Sequence, residues 1–337
     1  MTVAPILLSA MGLSRDFPLS SGGLFGGSGR RSIKALDEVS FDIGEGETLG
    51  LIGESGCGKT TTARLLLDLD RPTEGAVLFH GVDLRRLSRS ERRDYRRSVQ
   101  AVFQDPQSSL SPRMRIGEIV GEPLIASRVP RLAIHARVAE ALEQVGIDPS
   151  LVDRFPHQFS GGQQQRIAIA RTLAVRAALV VLDEPLSSLD VSVRSQILTL
   201  LKDLQTQHGV SYLMISHDMA AAAHICDRIA VMYLGRIVEM GTVEEIYDSP
   251  RHPYTQALLA SARIAFGSDA SEEKVLDEEP PSPINSPTGC RYQPRCAQAM
   301  TICSRTEPLL PGDKRLYQVA CHLWPAREED HDNPRLV

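Results

Sequence analysis

A glycine-rich loop that ends in a lysine and two threonines is the segment of this sequence best equipped for chemistry. Residues 53–60 read GESGCGKT and match the pattern G-x-x-x-x-G-K-[ST], between an apolar run and a helical segment. Glycines let backbone N–H groups converge on phosphate oxygens, and the following helix directs its positive N-terminus at the same charge. Lys59 would reach the β- and γ-phosphates and the Thr60 hydroxyl would help to hold Mg²⁺, whereas Cys57 is at a variable position and is expected to pack. The predicted nucleotide-binding residues of this loop are Gly53, Ser55, Gly56, Cys57, Gly58, Lys59, Thr60 and Thr61.

Two adjacent acids close an apolar run, and two further polar residues follow similar runs elsewhere in the chain. Residues 179–184 read LVVLDE, which places Asp183 and Glu184 at the end of a buried strand. Asp183 would orient Mg²⁺ or its waters, and Glu184 would polarise the water that attacks the γ-phosphate. Gln104 can contact both Mg²⁺ and this water, while His217 can bond the γ-phosphate and hold Glu184 in place. The joint pattern predicts ATP hydrolysis, with Glu184, His217 and Gln104 as catalytic residues and Thr60, Gln104 and Asp183 as Mg²⁺ ligands.

Four almost continuously apolar runs lead into these polar residues. Runs of that kind are typical of strands buried on both faces of a parallel sheet. Because sites in open α/β sheets form at the carboxyl ends of such strands, the polar groups are expected to meet at one edge. The four runs are Leu49 to Ile52, Val99 to Phe103, Ala178 to Leu182 and Tyr212 to Ile215.

Other parts of the chain have different patterns. Ile33 to Ile43 and Val77 to Phe79 favour strands of an antiparallel layer, and Ser20 to Gly29 is rich in Gly and Ser, which is typical of a surface loop. Residues 106 to about 159 lack the strand pattern, and Ile134 to Val145 favours an amphipathic helix. We therefore expect a helical insertion between the strand that ends near Gln104 and the later strands.

A second helix start with exposed backbone N–H groups follows this insertion. Residues 159–166 read FSGGQQQR and precede a helical pattern from Ile167 to Val175. Ser160 is a good N-cap, and a helix N-terminus of this kind suits phosphate. Because one nucleotide hardly needs two such cradles from the same domain, the complete site is expected to need two chains.

At this point the sequence resembles a known family, the ATP-binding cassette (ABC) ATPases. Ser160, Gly161, Gly162 and Gln163 match the family's signature, with Phe159 where leucine is usual. With the motifs above and the loop of residues 187–190 (SSLD), about residues 5 to 250 are similar to a complete cassette in the family's order. The resemblance implies an α/β P-loop NTPase fold, with a mostly parallel sheet, an antiparallel β layer and a helical subdomain.

The same resemblance implies a head-to-tail pair of cassettes. The signature of one cassette would close over the γ-phosphate bound at the other's phosphate loop, so that hydrolysis depends on closure. Asp190 would lie at the dimer seam, and Phe17 would stack on adenine, as an aromatic residue does in this family.

Three segments narrow the resemblance to the ATPases of bacterial dipeptide and oligopeptide importers: residues 102–113 (VFQDPQSSLSPR), residues 252–259 (HPYTQALL) and the C-terminal cysteines. The resemblance implies an ATPase that energises peptide import from the cytoplasmic face of the cell membrane. It implies four partners: a second ABC ATPase, two transmembrane permease subunits that contact the helical insertion, and an extracytoplasmic binding protein. Nickel, glutathione or another peptide-like cargo is the alternative. A non-transport ABC role on nucleic acid or the ribosome is disfavoured by the single cassette.

The chain is expected to have three parts. They are a cassette at 1–262 with its helical subdomain at about 105–160, an acidic, proline-rich linker at 263–288, and a small cysteine-containing module at 289–337. The module carries Cys290, Cys296, Cys303 and Cys321 with the spacing C-x₅-C-x₆-C-x₁₇-C. Four thiolates suit Zn²⁺ or a [4Fe–4S] cluster, which some ATPases of the resembled family carry at a similar position. Neither metal is compelled, because no C-x₂-C knuckle is present, and a metal-free module stays open.

Composition and charge exclude several classes of protein. Hydrophobic residues make up 42% and charged residues 23% of the 337, which is an ordinary globular balance. The formal net charge of -5 argues against a dedicated nucleic-acid binder. No run of eighteen uncharged apolar residues occurs, and the N-terminus lacks the features of a signal peptide. We therefore expect a cytoplasmic protein that reaches the membrane through its partners.

Overall fold

The structure of the chain is a computed structural model that describes residues 4–18, 32–105, 109–265, 287–312 and 317–324. The predicted Gly- and Ser-rich loop and most of the predicted linker lie outside these residues. In chain order the strands are β1 (Ile6–Pro18), β2 (Ser32–Gly44), β3 (Thr48–Ile52), β4 (Glu74–Phe79), β5 (Val82–Asp83), β6 (Val99–Val102), β7 (Leu179–Asp183), β8 (Ser211–Ser216), β9 (Arg228–Tyr233), β10 (Arg236–Thr242) and β11 (Gln318–Val319). The α-helices are α1 (Lys59–Leu66), α2 (Arg89–Ser98), α3 (Ile116–Ala126), α4 (Arg131–Gln144), α5 (Gly161–Ala174), α6 (Val191–His208), α7 (Met219–Ile225), α8 (Val243–Asp248) and α9 (Pro253–Ala265).

The larger sheet is mostly parallel. Among the described residues its strand order is β11-β10-β9-β3-β8-β7-β6. The five strands from β9 to β6 run parallel, whereas β10 and β11 are antiparallel additions at one edge. Every residue of β3, β7 and β8 is buried, as the continuous apolar runs predict. The prediction of a parallel sheet built from the four apolar runs is therefore confirmed.

The smaller sheet is the predicted antiparallel layer, with the order β2-β1-β4-β5. Its two long strands pair over most of their length, with register shifts that bend β1. Residues Leu8, Leu36 and Phe41 are fully buried and belong to one hydrophobic cluster with Leu49 and Leu51 of the central strand. The layer therefore covers one face of the larger sheet and shares its core.

A group of helices covers the opposite face. Helices α3, α4 and α5 pack on one another, and their apolar side chains join a second cluster with Leu182 and Met214 from the larger sheet. Helix α4 runs from Arg131 to Gln144, close to the predicted Ile134 to Val145. Helices α3 and α4 belong to the predicted helical insertion, which leads into α5 at Gly161.

The C-terminal segment packs onto the larger sheet. Strand β11 pairs with β10, and the Ala320 amide donates to the Val238 carbonyl at 2.8 Å. Helix α9 begins at Pro253 and continues to Ala265. Within the described ranges, no helix is both long enough and apolar enough to cross a bilayer.

A buried carboxylate ties the C-terminal segment to the antiparallel layer. Asp37 is 4% exposed and forms ion pairs with Lys34, Arg236 and Arg291. Burial by itself raises the pKa of Asp37, but the hydrogen bonds and charges of its three basic partners outweigh burial and lower it overall. Arg291 and Arg236 also pair with Glu307, so the network joins three separate stretches of chain.

We expect Asp37→Asn to lower the free energy of unfolding by about 3 kcal/mol at pH 7, because it leaves buried arginines short of a counter-charge. The pKa of Asp37 is lowered in the folded chain, so its contribution is complete above the ordinary value of about 3.9 and is lost as the pH falls through the folded value. Urea unfolding at pH 7 and at pH 3 measures both effects. Asp94→Asn, on the exposed face of α2, is the control. Equal stability of the two variants at pH 7 would contradict the role given to Asp37.

Candidate functional site

The phosphate-binding loop connects the central strand β3 to α1, as its pattern predicts. Helix α1 begins at Lys59, and Gly58 precedes it with φ 114°. The Lys59 side chain is 5% exposed, and its Nζ donates to the carbonyls of Gly53 at 2.6 Å and Glu54 at 2.8 Å. In the described parts of the chain, no carboxylate lies within ion-pair distance of this ammonium. The loop therefore holds a positive charge that an anion such as phosphate can neutralise.

Close packing explains why glycine is needed in this loop. A Cβ on Gly53 would collide with the Met232 carbonyl, and one on Gly58 would lie 2.6 Å from the Ala35 carbonyl. Cys57 is 3% exposed, and burial raises the pKa of its thiol, so it packs beneath the loop as a neutral group. The opposite side of the loop is accessible, with the remaining predicted residues exposed or half-buried: Ser55, Gly56, Thr60 and Thr61.

The three predicted catalytic residues meet in one hydrogen-bonded array. Gln104 Nε2 donates to Glu184 Oε2 at 2.9 Å, and His217 Nδ1 lies 3.2 Å from Glu184 Oε1. They follow β6, β7 and β8, which are neighbours in the larger sheet. Glu184 has φ 47°, and its side chain is 16% exposed. One carboxylate is thus held by both of its oxygens while part of it faces solvent, an arrangement that can polarise a water molecule.

Asp183 is the last residue of β7 and lies directly before this array. It is 9% exposed, and burial, followed by the charge of Glu184, raises the pKa of its carboxyl, with Lys59 acting in the opposite direction. The predicted Mg²⁺ ligands provide a carboxylate on Asp183, an exposed hydroxyl on Thr60 and an amide oxygen on Gln104. Oxygen ligands of these types fit Mg²⁺, which prefers carboxylates, other oxygens and water.

The signature segment forms the start of α5. Ser160 is its N-cap, with Gln163 N donating to Ser160 Oγ at 3.3 Å and Ser160 N donating to Gln163 Oε1 at 3.0 Å. Gly162 lies against α6, since a Cβ on it would be 2.6 Å from a Val193 methyl. Across the described residues, no hydrogen bond joins this segment to the phosphate loop. Ser160, Gly161 and Gln163 are exposed, so the signature presents an accessible helix N-terminus.

Two predicted contacts of a partner or nucleotide lie at the surface. Asp190 is exposed at the N-cap of α6, and its backbone carbonyl accepts from Val193 and Arg194. Phe17 is 36% exposed near the end of β1, with the Arg15 guanidinium 4.9 Å from the centre of its ring. Phe17 is thus not part of the core, and its stacking on adenine stays a prediction.

The four C-terminal cysteines line one small cavity of about 10 Å³ together with His252 and His322. All four are free thiols, and burial raises the pKa of Cys290 to about 11 and that of Cys296 and Cys321 in the same direction. No three His, Cys, Asp or Glu side chains of the described residues are placed so that they could hold a metal ion. The predicted metal centre has no support from this geometry beyond the convergence of the four thiols.

The sequence pattern did not reveal the part played by Glu54, which occupies a variable position of the phosphate loop. Its carboxylate forms an ion pair with Arg295 of the C-terminal segment, and its amide donates to the Tyr254 hydroxyl at 2.9 Å. Tyr254 lies in residues 252–259, a segment that marked the family resemblance. No chemical reason for that resemblance was evident in the sequence, which therefore did not indicate what Tyr254 does. Nothing in the local sequence indicates the Arg295 contact.

Comparison with known proteins finds two family models that match separate parts of the chain. Residues 36–187 match the family model described as ABC transporter, and residues 238–303 match the model described as oligopeptide/dipeptide transporter, C-terminal region. A peptide import ATP-binding protein of Brucella ovis is 46% identical, over 92% of this chain and 95% of its own length. This chain belongs to the ABC transporter family. The predicted family, the α/β cassette fold and the ATPase activity are therefore confirmed.

Further relatives and solved structures agree with this membership. The oligopeptide transport ATP-binding proteins AppF of Bacillus subtilis and OppF of Salmonella typhimurium are 44% and 43% identical, each over 94% of this chain and over 97% and 96% of their own lengths. CbiO1 of Clostridium perfringens, part of an ABC transporter complex, has a TM-score of 0.62 at 28% identity, over 73% of this chain and 92% of its own. A dimeric ATP-binding cassette in a post-hydrolysis state with ADP and Pi bound has a TM-score of 0.61 at 29% identity. The match covers 70% of this chain and 99% of that structure's chain.

We expect Glu184→Gln to retain ATP binding and to lower ATP turnover at least ~100-fold, because an amide cannot accept a proton from the attacking water. The hydrogen bond to Gln104 can persist, so the fold should be unaffected. Nucleotide titration and phosphate release measure the two properties. Glu143→Gln, on the exposed side of α4, serves as the matched control. Near-normal turnover by Glu184→Gln would mean that hydrolysis does not depend on this array.

Proposed function

We propose that this chain is the ATP-hydrolysing subunit that powers import of dipeptides or oligopeptides across the bacterial cytoplasmic membrane. The observation that carries the proposal is 43–46% identity to proteins named for peptide or oligopeptide transport, over 92–94% of the chain. The similarity continues through residues 238–303, beyond the match to the general ABC transporter model. It is therefore specific to a subgroup of these ATPases.

The binding step is proposed to use the loop between β3 and α1. Lys59 is held in place by two loop carbonyls and would meet the β- and γ-phosphates with its remaining donor capacity. Backbone N–H groups at the start of α1 would receive the other phosphate oxygens. Mg²⁺ held by Thr60, Gln104 and Asp183 would neutralise charge that develops on the phosphates.

The hydrolytic step is proposed to use the array around Glu184. His217 and Gln104 orient the carboxylate from opposite oxygens, so that it can take the proton of a water aligned with the γ-phosphate. As an imidazolium, which donates from both ring nitrogens, His217 would also donate to the γ-phosphate. Once phosphate is released, the γ-phosphate that holds the two cassettes closed would no longer be present.

A second cassette is proposed to complete the site. The accessible N-terminus of α5, from Ser160 to Gln163, would meet the γ-phosphate bound to a partner ATPase, and Asp190 would lie at the seam between them. Charge stabilisation by this helix would be present only in the closed pair, which couples hydrolysis to closure.

The remaining partners follow from the transport role. Two permease subunits would rest on the helical group at about residues 105–160, and an extracytoplasmic binding protein would deliver the cargo. The chain would then lie at the cytoplasmic face of the inner membrane. Nickel, glutathione or another peptide-like compound is the alternative cargo, because the sequence features that suggest peptides belong to the ATPase and not to a cargo site.

The proposal is tested by what accompanies the chain in its own cells. A tagged Glu184→Gln chain, extracted from membranes in mild detergent with ATP and Mg²⁺, is expected to retain two multi-span membrane proteins, a second ATPase and the binding protein. The double variant Glu184→Gln/Lys59→Ala is the control, because it should not hold ATP and should not trap the closed pair. Recovery of ribosomes, of nucleic acid or of the chain alone would refute the transport role. Ligand screening of the recovered binding protein then distinguishes peptide from the alternative cargoes.

We also propose that Cys290, Cys296, Cys303 and Cys321 hold a [4Fe–4S] cluster, with Zn²⁺ as the alternative. The support is chemical: four thiols surround one cavity, and thiolates are the usual ligands of both centres. Such a centre would link four cysteines of the C-terminal segment, and the ATPase steps above do not involve it.

Metal analysis of the full chain purified without oxygen tests this second proposal. We expect about four iron atoms and four acid-labile sulfides per chain, as a [4Fe–4S] cluster requires. Cys303→Ser should lower both amounts, whereas Cys226→Ser, which changes a thiol outside the C-terminal segment, should not. One zinc without iron would select the alternative, and the absence of both metals would exclude a metal centre.

A further inference from the structure

The side chain of Glu54 is clamped by an arginine from the far end of the chain. Arg295 Nη1 lies 2.9 Å from Glu54 Oε2, and Arg295 Nη2 lies 3.1 Å from Glu54 Oε1. The two parallel bonds form a bidentate pair, the strongest geometry available to an arginine and a carboxylate. The Arg295 side chain is 5% exposed and that of Glu54 is 20% exposed, so water screens the pair only weakly.

The guanidinium also lies against a group of aromatic rings. It lies 6.0 Å from the centre of the Tyr233 ring and 5.9 Å from that of Tyr292. These rings contact each other and Tyr254 within one aromatic group. Because the group is packed in the core, the arginine loses little further freedom when it binds the carboxylate.

Each polar group of Glu54 has a partner. The amide donates to the Tyr254 hydroxyl at 2.9 Å, the carbonyl accepts from Lys59 Nζ at 2.8 Å, and the carboxylate binds Arg295. Rotation of either peptide bond next to Glu54 would break at least one of these contacts. Glu54 is the second residue of the phosphate loop, so its partners set the direction in which the loop leaves β3.

We propose that Arg295 is a positioning residue for nucleotide binding, which acts through Glu54 to hold the phosphate loop in its receptive conformation. Tyr254 supports the same residue from the backbone side. The inference rests on the proposed role of residues 53–60 in binding phosphate. It gives the C-terminal segment a direct part in the nucleotide site.

The competing explanation is that the Glu54–Arg295 pair only attaches the C-terminal segment to the cassette. Other contacts in the structure also attach that segment. Arg291 binds Asp37 and the Leu234 carbonyl, and β11 pairs with β10. Docking of the segment therefore does not depend on Arg295 alone. A variant at Arg295 should consequently alter the loop more than it alters the fold.

The test is the dissociation constant of ATP with Mg²⁺, measured on the full chain by titration. Arg295→Ala is expected to raise it about tenfold, which equals about 1.4 kcal/mol. Glu54→Gln should give the same increase, and the double variant should be no weaker than either single variant, because both changes remove one contact. Arg295→Lys restores the charge but not the bidentate geometry, so it should recover part of the affinity.

Control variants separate the positioning role of Arg295 from the assignment of residues 53–60 as the phosphate-binding loop. Arg305→Ala changes an exposed arginine of the same segment and should leave ATP affinity within twofold. Lys59→Ala should abolish measurable ATP binding; if it does not, the phosphate-loop assignment itself fails. If Lys59→Ala loses ATP while Arg295→Ala and Glu54→Gln bind it normally, only the positioning role is refuted. Additive losses in the double variant would refute it as well. Should Arg295→Ala not fold, Glu54→Gln and Arg295→Lys still decide the question, because they leave the C-terminal segment intact.

Discussion

The pairing of the central strand β3 on both of its edges fixes where the catalytic groups of this chain meet. Strand β3 is buried along its whole length and is hydrogen-bonded to β9 on one edge and to β8 on the other. In this register Ile52 lies opposite Ser216, so the phosphate loop and His217 leave the sheet at the same level. Asp183 pairs with Ile215 in the next strand, which brings Glu184 to that level too. A slip of one residue in any of these strands would turn every side chain to the other face and separate the groups that must meet.

Backbone strain is present at the residue that the array surrounds. Glu184 adopts φ 47°, a left-handed conformation that costs roughly 1–3 kcal/mol for a residue other than glycine. Its amide donates to the Ile215 carbonyl at 2.9 Å, and its carboxylate has partners on both oxygens. These contacts hold the strained turn in place. The carboxylate is consequently preorganised, and the protein need not reorder it when water arrives.

Much of this site could be predicted because its signals are local. A strand buried on both faces must be apolar throughout, so the runs that end at Gln104, Asp183 and Ser216 located the strand ends correctly. The spacing of the loop glycines, Lys59 and Thr60 is likewise a local pattern of the sequence. The contact between Glu54 and Arg295 could not be predicted in this way, because it joins residues 241 positions apart and depends on how the last segment docks. Strand β11 has two residues, too few for any periodicity to emerge.

The separation of Glu54 and Arg295 along the chain also means that the two residues are synthesised at different times. A ribosome adds roughly 5–20 residues per second, so Arg295 is made about 12 to 48 seconds after Glu54. During that interval the nascent cassette already contains every motif from the phosphate loop to His217, yet the arginine that clamps Glu54 does not exist. Firm binding of a nucleotide would then become possible only after the segment that contains Arg295 has been made and has docked against Glu54.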